Sequence, residues 1–362
     1  MREPGSGRRL SAVPELTGLR GIAILLVFVY HALEAFRRVG LVGGWVGVDI
    51  FFVLSGFLIT TLLVNEWDER GGISLLRFYA RRALRLLPAL VVFLAVAAPV
   101  LAYFEPETRR AVVRGTAYAL FYVMNILGPI PFLGHTWSLS MEEQFYAVWP
   151  IVLLVALRLG AGRRSIAGGA FAAACGIALV RAALLLHGTS WEDLYYRPLH
   201  SDGLLVGSAL GLAYASNLLP RGDAWRRSLT MTSIPAAAFL GWIAWDVNPG
   251  AHWLYAGGQL AIAIAATVVV LAAVDGLPWL AFLRFGPLVY LGRISYALYL
   301  WHLFLLFSFV VYSWASVWLA VVASLAAASA SYHVVERPFL RLKRRVAPTR
   351  SLADVVVEPA PS

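Results

Sequence analysis

Apolar residues recur along the chain in long runs that are separated by short polar and basic stretches. A helix that crosses a lipid bilayer needs about 20 consecutive, mostly apolar residues, and eleven runs approach this length. They lie near residues 17–36, 44–64, 85–104, 111–128, 140–157, 166–187, 202–217, 231–246, 253–274, 287–311 and 314–335. The pattern predicts an all-α protein, a polytopic membrane helix bundle whose outer surfaces are covered by lipid.

Basic stretches between the runs predict the orientation of the bundle, because loops rich in Lys and Arg remain on the cytoplasmic side. They occur at both ends of the chain and in three internal loops: Arg2, Arg8, Arg9, Arg77, Arg81, Arg82, Arg85, Arg158, Arg163, Arg164, Arg221, Arg226, Arg227, Arg337, Arg341, Lys343, Arg344 and Arg345. Eleven full crossings cannot place all of these on one side. The run at 111–128 ends in a Pro- and Gly-rich stretch, so we predict that it is re-entrant or lies at the surface. About ten transmembrane helices then remain in the plasma membrane, with both termini cytoplasmic.

Composition supports a membrane protein and argues against other classes. The 362 residues are 60% hydrophobic and 14% charged, whereas soluble domains carry about 25% charged residues. The net charge of +10 is spread over short loops, which indicates topology rather than a nucleic-acid partner. The single Cys175 leaves no intramolecular disulfide. The first run contains Arg20 and His31 and lacks a cleavage site, so we expect a retained span rather than a signal peptide.

The same pattern divides the chain into three parts. We predict a cytoplasmic N-terminal tail at 1–16 and one transmembrane domain at 17–340. A basic cytoplasmic tail follows at 341–362, and its polar, Pro-containing end predicts partial disorder. No internal repeat and no second soluble domain are expected.

Ionisable side chains inside a span are costly, so each one marks a candidate site. Arg20 and His31 lie eleven residues apart in the first run, which puts them on nearly one helix face and about 16 Å apart in depth. This face offers a cation near the cytoplasmic mouth and a titratable imidazole deeper inside. Asp49, in the second run, is preceded by glycines that permit close helix contact. It is expected either to orient His31 or to pair with an arginine.

A second pair of cations follows in the segment RFYARRALRLLP. Arg82 and Arg85 are three residues apart and therefore share a helix face. Two guanidinium groups at the start of the third span suit a phosphate ligand, although topology alone would also place arginines here.

The segment HTWSLSMEEQFYAVWP opens the fifth span from the outer side. Adjacent carboxylates, an amide and aromatic rings are typical of an edge that recognises sugars or hydroxyl groups. Ser138 also fits the N-cap position of a helix. Glu142 and Glu143 point about 100° apart on a helix, so only one should face a cavity, and we expect it to be Glu143.

The tenth run, GRISYALYLWHLFLL, repeats the arrangement of the first, with a basic entrance and a deep imidazole. Arg293 lies near its cytoplasmic end, and Tyr299 and His302 share a face further out. His302 fits a second catalytic histidine and a structural one equally well. Weaker features are expected to anchor interfaces or to pair with the tail: Arg181, His187, His200, Asp202 and Glu336.

Five segments in this order make the sequence similar to the acyltransferase-3 family of membrane O-acyltransferases. They are LTGLRGIAILLVFVYH, GGWVGVDIFFVLSGFLIT, RFYARRALRLLPA, HTWSLSMEEQFYAVWP and ISYALYLWHLFLL, within residues 16–340. The family's motif positions fall on Arg20 and His31, on Arg82 and Arg85, and on Ser138, Leu139 and Glu142, with Glu143 following directly. The resemblance implies a ten-helix bundle, an acyl-CoA donor from the cytoplasm and a hydroxyl acceptor such as a glycan or a macrolide-type natural product. The resemblance is to the short form of the family, which lacks a fused hydrolase-like domain. The richness in Ala, Arg and Leu points to a bacterial source.

The resulting hypothesis assigns a role to each candidate residue. His31 is the general base on the acceptor hydroxyl, and Asp49 or Glu143 orients it or the acceptor. The donor's phosphates contact Arg82, Arg85, Arg20 and Arg293, and the substrate contacts Ser138, Glu142, Tyr299 and His302. No metal and no permanently bound cofactor are expected, because acyl-CoA is a donor substrate.

Two other functions remain open at this point. Buried His, Asp and Arg side chains can form a proton relay in a transporter or flippase, although no inverted repeat is visible. A glycan polymerase or ligase would need a large outer loop, and the longest outer interval, 105–139, is partly apolar.

Overall fold

A computed structural model of the chain describes residues 13–35, 40–104, 107, 109–130, 132–311 and 317–346. Within these residues the secondary structure is helical, with no strand. The helices are α1 Pro14–Ala35, α2 Val46–Arg70, α3 Leu75–Phe104, α4 Arg109–Leu120, α5 Met124–Leu127, α6 Trp137–Arg158, α7 Arg163–Leu186, α8 Trp191–Tyr196, α9 Asp202–Ala215, α10 Asp223–Asp246, α11 Gln259–Val274, α12 Gly286–Arg293, α13 Ser295–Val311, α14 Val317–Ala330 and α15 Arg337–Val346. Short π turns join α11 to the preceding loop and α14 to α15.

The prediction of a polytopic all-α bundle is confirmed. In the described residues, eight helices are long and apolar enough to cross a membrane, and the pair α12–α13, bent by 75°, makes a ninth. The predicted span at 202–217 forms α9, whose 14 residues cover only about 21 Å, less than the roughly 30 Å of a hydrocarbon core. The predicted re-entrant run at 111–128 forms α4 and α5, which are also too short to cross.

Helix α2 lies at the centre of the bundle and is the most deeply buried of the spanning helices. It packs along α9, while α1 packs along α12. Glycines make both contacts close: a Cβ at Gly21 would overlap the carbonyl oxygen of Leu288, and one at Gly207 would overlap that of Val53. Backbone contacts of this kind are how membrane helices associate without a hydrophobic driving force, and they fix α1 against α12–α13.

One end of the bundle carries most of the charged side chains. Ion pairs there join Arg163 to Asp68 and Arg284 to Glu15, and Arg81 lies 3.4 Å from Glu66. We call this end, where Arg20 lies, the basic end; His31 lies toward the opposite end of α1.

The predicted tails differ in their bounds from the helices. Helix α1 begins at Pro14, inside the predicted tail 1–16, and α15 continues to Val346, inside the predicted tail 341–362. The remainder of both predicted tails lies outside the described residues.

Candidate active site

Two cavities open within the bundle between the helices that carry the candidate residues. The polar side chains that line the first are Arg20, Ser55, Arg82, Arg85, Ser138, Glu142 and Ser295. We call it the basic cavity. The second lies beyond it and is lined by imidazole, carboxylate and aromatic groups: His31, Glu34, Trp45, His135, Trp137, Tyr195 and Tyr196. We call it the histidine cavity. Tyr299 and Val48 line both.

Arg20 enters the basic cavity from α1 and is held at the bend between α12 and α13. Its Nη2 donates a hydrogen bond of 2.8 Å to the Ser295 hydroxyl, and its Nε lies 3.5 Å from the Gly292 carbonyl oxygen. The guanidinium lies 5.6 Å from the centre of the Phe51 ring. The close α1–α12 contact thus fixes a cation where the bend begins.

Arg82 is the most strongly held cation of the basic cavity. Its Nε and Nη2 lie 2.8 and 2.7 Å from one carboxylate oxygen of Glu143. The guanidinium stacks 3.3 Å from the centre of the Tyr146 ring. Arg85 lines the same cavity. Glu336, expected to pair with tail arginines, is buried, and its Oε1 has no hydrogen-bond partner in the described region.

The two adjacent carboxylates of α6 have exchanged the roles that the sequence predicted for them. Glu142 lines the basic cavity and accepts a hydrogen bond of 2.8 Å from the Ser55 hydroxyl. Glu143, which the sequence favoured as the cavity-facing residue, is occupied by Arg82. One carboxylate does face the cavity, but it is Glu142 and not Glu143. The rotation of α6 about its axis is set by its packing, which the sequence pattern does not contain.

His31 and His302 come together in the interior from α1 and α13. Nδ1 of His31 lies 2.9 Å from the Val27 carbonyl oxygen and 3.2 Å from Nε2 of His302. Because a carbonyl only accepts, the proton of His31 is assigned to Nδ1. Its Nε2 then keeps a lone pair and has no hydrogen-bond partner among the described residues, while the side chain lines the histidine cavity.

His135 joins this pair and was not assigned a role from the sequence. Its ring centre lies 5.6 Å from that of His302, and its Nε2 lies 3.2 Å from the Leu300 carbonyl oxygen. Nδ1 of His135 is buried without a hydrogen-bond partner among the described residues. Across the part of the chain that the structure describes, no three His, Cys, Asp or Glu side chains are grouped as metal ligands, and a mechanism without metal stays a prediction.

Tyr299 and Ser138 connect α13 to the start of α6. The Tyr299 hydroxyl lies 2.7 Å from the His135 carbonyl oxygen and 2.6 Å from the Ser138 hydroxyl. The single phenolic proton goes to the carbonyl, so Ser138 donates to the phenolic oxygen. Ser138 is the second residue of α6 and not its N-cap. Its hydroxyl forms the hydrogen bond to Tyr299 instead of capping the helix.

Asp49 does not contact His31 or an arginine. Its carboxylate lies 2.7 Å from Nε2 of His200, and both groups are buried. Nδ1 of His200 lies 3.0 Å from the Tyr195 carbonyl oxygen, so both nitrogens of His200 face acceptors. The sequence argument missed this pair because 151 residues separate its members.

A second buried ion pair lies nearby. Arg181 is fully buried, lies 2.8 Å from Asp202 and donates to the Leu199 carbonyl oxygen at 2.7 Å. Arg181 and Asp202 were expected at an interface, and they instead hold α7 to α9 in the interior. Arg293, expected beside the other arginines, does not line the basic cavity, and its Nε is buried without a hydrogen-bond partner in the described region.

The wall of the histidine cavity is rich in aromatic rings, two of which, Tyr195 and Tyr196, come from the segment before α9. Trp137 stacks on His200 with ring centres 5.6 Å apart, which links the cavity wall to the buried Asp49 pair. Burial and the nearby charge of Glu34 raise the pKa of the Tyr196 phenol, which therefore stays protonated at neutral pH. These aromatic residues were missed because no spacing rule joins them. The cue in the sequence was their density beside His200.

The two cavities offer different chemical groups to a ligand. The basic cavity offers three guanidinium groups to an elongated anionic ligand. The histidine cavity offers a neutral imidazole with a free nitrogen, suited to remove a proton from a hydroxyl group. Its aromatic wall suits a ligand with apolar faces and a few hydroxyl groups.

Comparison with known proteins identifies the family of the chain. A family model described as an acyltransferase domain of the acyltransferase-3 type matches residues 13–333. The peptidoglycan O-acetyltransferase OatA of Listeria monocytogenes is 33% identical over 313 residues, which cover 80% of this chain and 49% of the relative. The O-acetyltransferase OatA of Staphylococcus aureus is 31% identical over 304 residues, with 80% and 50% covered.

This chain spans about half the length of the curated relatives that it matches. No solved structure gives a significant match to it.

Proposed function

This chain belongs to the acyltransferase-3 family of membrane O-acyltransferases, and on that premise we propose that it transfers an acyl group from acyl-CoA to a hydroxyl of a glycan or macrolide-type acceptor. The observation that carries the proposal is the neighbouring placement of two cavities, one lined by guanidinium groups and the other by a free imidazole nitrogen. Acyl-CoA is a substrate that leaves after each turnover, and no permanently bound cofactor is required.

The basic cavity is the proposed donor site. Coenzyme A carries several phosphate charges on a long flexible arm, and guanidinium groups bind phosphate through paired hydrogen bonds. Arg85 and Arg20 line this cavity, and Arg82 is fixed there by Glu143. Arg293 has no part in the donor site that we propose, since it does not line the cavity.

His31 is the proposed general base. Its Nε2 takes the proton of the acceptor hydroxyl while the oxygen attacks the thioester carbonyl carbon. The new C–O ester bond forms and the C–S bond breaks. The thiolate of coenzyme A then takes the proton from the His31 imidazolium, so that the thiol leaves neutral and His31 returns to its starting state. An acyl-histidine intermediate is the covalent variant of this route.

The histidine cavity is the proposed acceptor site. A hydroxyl group there reaches His31 from the side opposite the arginines. The named relatives are O-acetyltransferases, one of them of peptidoglycan, which supports acetyl as the first acyl group to test and a glycan as the first acceptor. Of the substrate contacts first assigned, Ser138 and Glu142 line the basic cavity, Tyr299 lines both cavities and His302 lines neither.

The proposed orientation places the basic end in the cytoplasm. Basic loops at that end satisfy the positive-inside rule, and acyl-CoA is made in the cytoplasm. The multi-pass protein then sits in the plasma membrane with the histidine cavity toward the outer leaflet and with both termini cytoplasmic.

The proposal is tested with purified protein, radiolabelled acetyl-CoA and soluble peptidoglycan fragments. We expect label on the acceptor with the wild type and loss of transfer in His31→Ala, with acyl-CoA still bound. The matched control is His187→Ala, an exposed histidine at the end of α7, which should keep full transfer. Full activity of His31→Ala would exclude the base mechanism. Absence of both acyl-CoA binding and turnover in the wild type would favour the transporter instead.

A further inference from the structure

The two cavities are neighbours but do not merge. Of the lining residues that the structure describes, only Tyr299 and Val48 belong to both walls. Arg20 lies on one side of this partition and His31 on the other, about 16 Å apart along α1 at 1.5 Å per residue. Any group that is held by the arginines and reacts beside His31 has to pass between Tyr299 and Val48.

Of the two partition residues, only Tyr299 has a side chain that can swing aside. Val48 is short, β-branched and 6% exposed on the central helix α2, and such a side chain has few rotamers. Tyr299 is 7% exposed and turns about two side-chain torsions. Its present position depends on the hydrogen bonds from its hydroxyl to the His135 carbonyl oxygen and from Ser138.

We propose that Tyr299 is a gate between the two cavities and that its ring sets the length of acyl chain that passes to His31. The proposal rests on the function proposed above, since it takes the basic cavity as the donor site and the histidine cavity as the acceptor site. With the gate closed, the thioester on the arginine side is kept from His31 and from the water of the histidine cavity. When the ring turns, the acyl carbon reaches the imidazole, and the width of the gap admits short chains.

Tyr299 has two roles in the gate: its hydroxyl holds the ring in place, and the ring sets the width of the gap. Two variants test these roles separately. Tyr299→Phe keeps the ring and removes both hydrogen bonds, so the gate opens more often with an unchanged width. Tyr299→Ala removes the ring and widens the gap. Tyr290→Ala is the matched control, because it also removes a tyrosine ring and Tyr290 lines neither cavity.

The first experiment measures acyl transfer and acceptor-free hydrolysis with acetyl-, butyryl- and octanoyl-CoA. We expect Tyr299→Ala to raise the ratio of octanoyl to acetyl transfer at least about tenfold, the scale on which pockets distinguish chain length. Tyr299→Phe should raise hydrolysis without acceptor and leave that ratio unchanged, and Tyr290→Ala should change neither. An unchanged ratio in a Tyr299→Ala protein that binds acyl-CoA would overturn the gate.

The second experiment does not depend on catalysis. Ser55→Cys in a Cys175→Ser background places one thiol in the basic cavity, and an impermeant anionic methanethiosulfonate is added to intact cells or to inside-out vesicles. We expect labelling from the cytoplasmic side in both backgrounds, and from the outer side only when Tyr299→Ala is added. Labelling from outside with Tyr299 intact, or no gain on its removal, would overturn the proposal.

These readouts distinguish the gate from the function on which it rests. If the wild type moves no acyl group from CoA, the proposed function fails, and the labelling still reports whether Tyr299 separates the cavities. If transfer is robust and the labelling pattern does not depend on Tyr299, the function stands and the gate fails.

Discussion

Nε2 of His302 lies 3.2 Å from Nδ1 of His31, and the two rings, from α1 and α13, have centres 5.1 Å apart. Nδ1 of His302 lies 2.8 Å from the Tyr299 carbonyl oxygen, so its proton belongs on that nitrogen and its Nε2 accepts. This acceptor, together with the Val27 carbonyl oxygen, holds the proton of His31 on Nδ1. In the mechanism proposed above, His302 is thus a positioning residue that keeps the other nitrogen of His31 available as a base.

The first prediction concerns this pair. We expect His302→Leu to lower kcat about 10- to 100-fold, the usual loss when a group that orients an imidazole is removed. KM for acyl-CoA should not change, because the arginine contacts are untouched. His302→Gln, which can still present an acceptor oxygen, should recover part of the rate. The measurement is steady-state acetyl transfer.

The control for this prediction is His333→Leu, since His333 is exposed near the end of the last spanning helix. It should leave both constants at their wild-type values. A rise in KM for His302→Leu, or equal losses for the Leu and Gln variants, would show that His302 acts through packing and not through the tautomer of His31.

Much of the bundle followed from the sequence because it depends on local rules. Run length and the positions of arginines predicted the spans and the short segment at 111–128, since bilayer thickness and backbone hydrogen bonding act on each helix separately. The same rules predicted that Arg20 and His31 share a face of α1. The length of α9 and the bend before Ser295 did not follow, because neighbouring helices determine both.

The contacts between helices could not be obtained in the same way. Asp49 and His200 meet across 151 residues, and no spacing within one helix indicates such a pair. The choice between Glu142 and Glu143 failed for a related reason. A helical wheel gives the angle between two residues but not the rotation of the helix in the bundle, which here is fixed by Arg82 and by the packing of α6.

The second prediction concerns Arg82 and Glu143, whose side chains are 13% and 18% exposed. Arg82→Gln removes one member of a largely buried ion pair, which in proteins costs about 3 kcal/mol because the other charge is left without a partner. We therefore expect a clear drop in the thermal midpoint of Arg82→Gln. Adding Glu143→Gln should restore most of the stability, since no lone charge remains.

Activity separates the two roles of Arg82 in this experiment. If it also binds the donor, the double variant regains stability but keeps a raised KM for acyl-CoA. The comparison is Arg163→Gln, whose partner Asp68 lies in a more exposed ion pair away from the cavity, and which should change neither KM nor the midpoint strongly. A double variant with normal KM would remove Arg82 from the donor site.

The third prediction concerns Asp49. Because its carboxylate is buried against His200 and makes no contact with His31, we expect Asp49→Asn to lower stability by about 1 to 3 kcal/mol, the usual cost of weakening a buried hydrogen bond. Its kcat should stay near that of the wild type at a temperature where the protein is folded. Thermal unfolding and acetyl transfer are measured on the same preparation. A large loss of kcat with an unchanged midpoint would return Asp49 to the catalytic machinery.

The last prediction tests the close helix contact that positions α2 in the bundle. A Cβ at Gly207 would overlap the carbonyl oxygen of Val53, and a backbone atom on a packed helix cannot move aside as a side chain would. We therefore expect Gly207→Ala to destabilise the protein by about 1 to 3 kcal/mol, the usual cost of overpacking. Thermal unfolding in detergent, followed by size-exclusion chromatography, measures the effect.

Gly241→Ala is the matched control for Gly207→Ala, because Gly241 lies inside α10 and a Cβ there would meet no neighbouring atom within 4 Å. Alanine is the better helix former by about 1 kcal/mol, so this variant should be as stable as the wild type or more stable. The contrast between the two substitutions isolates the helix contact from the helix propensity. Equal midpoints for both variants would mean that α2 and α9 can separate, and the position of Asp49 and Ser55 would then not depend on that contact.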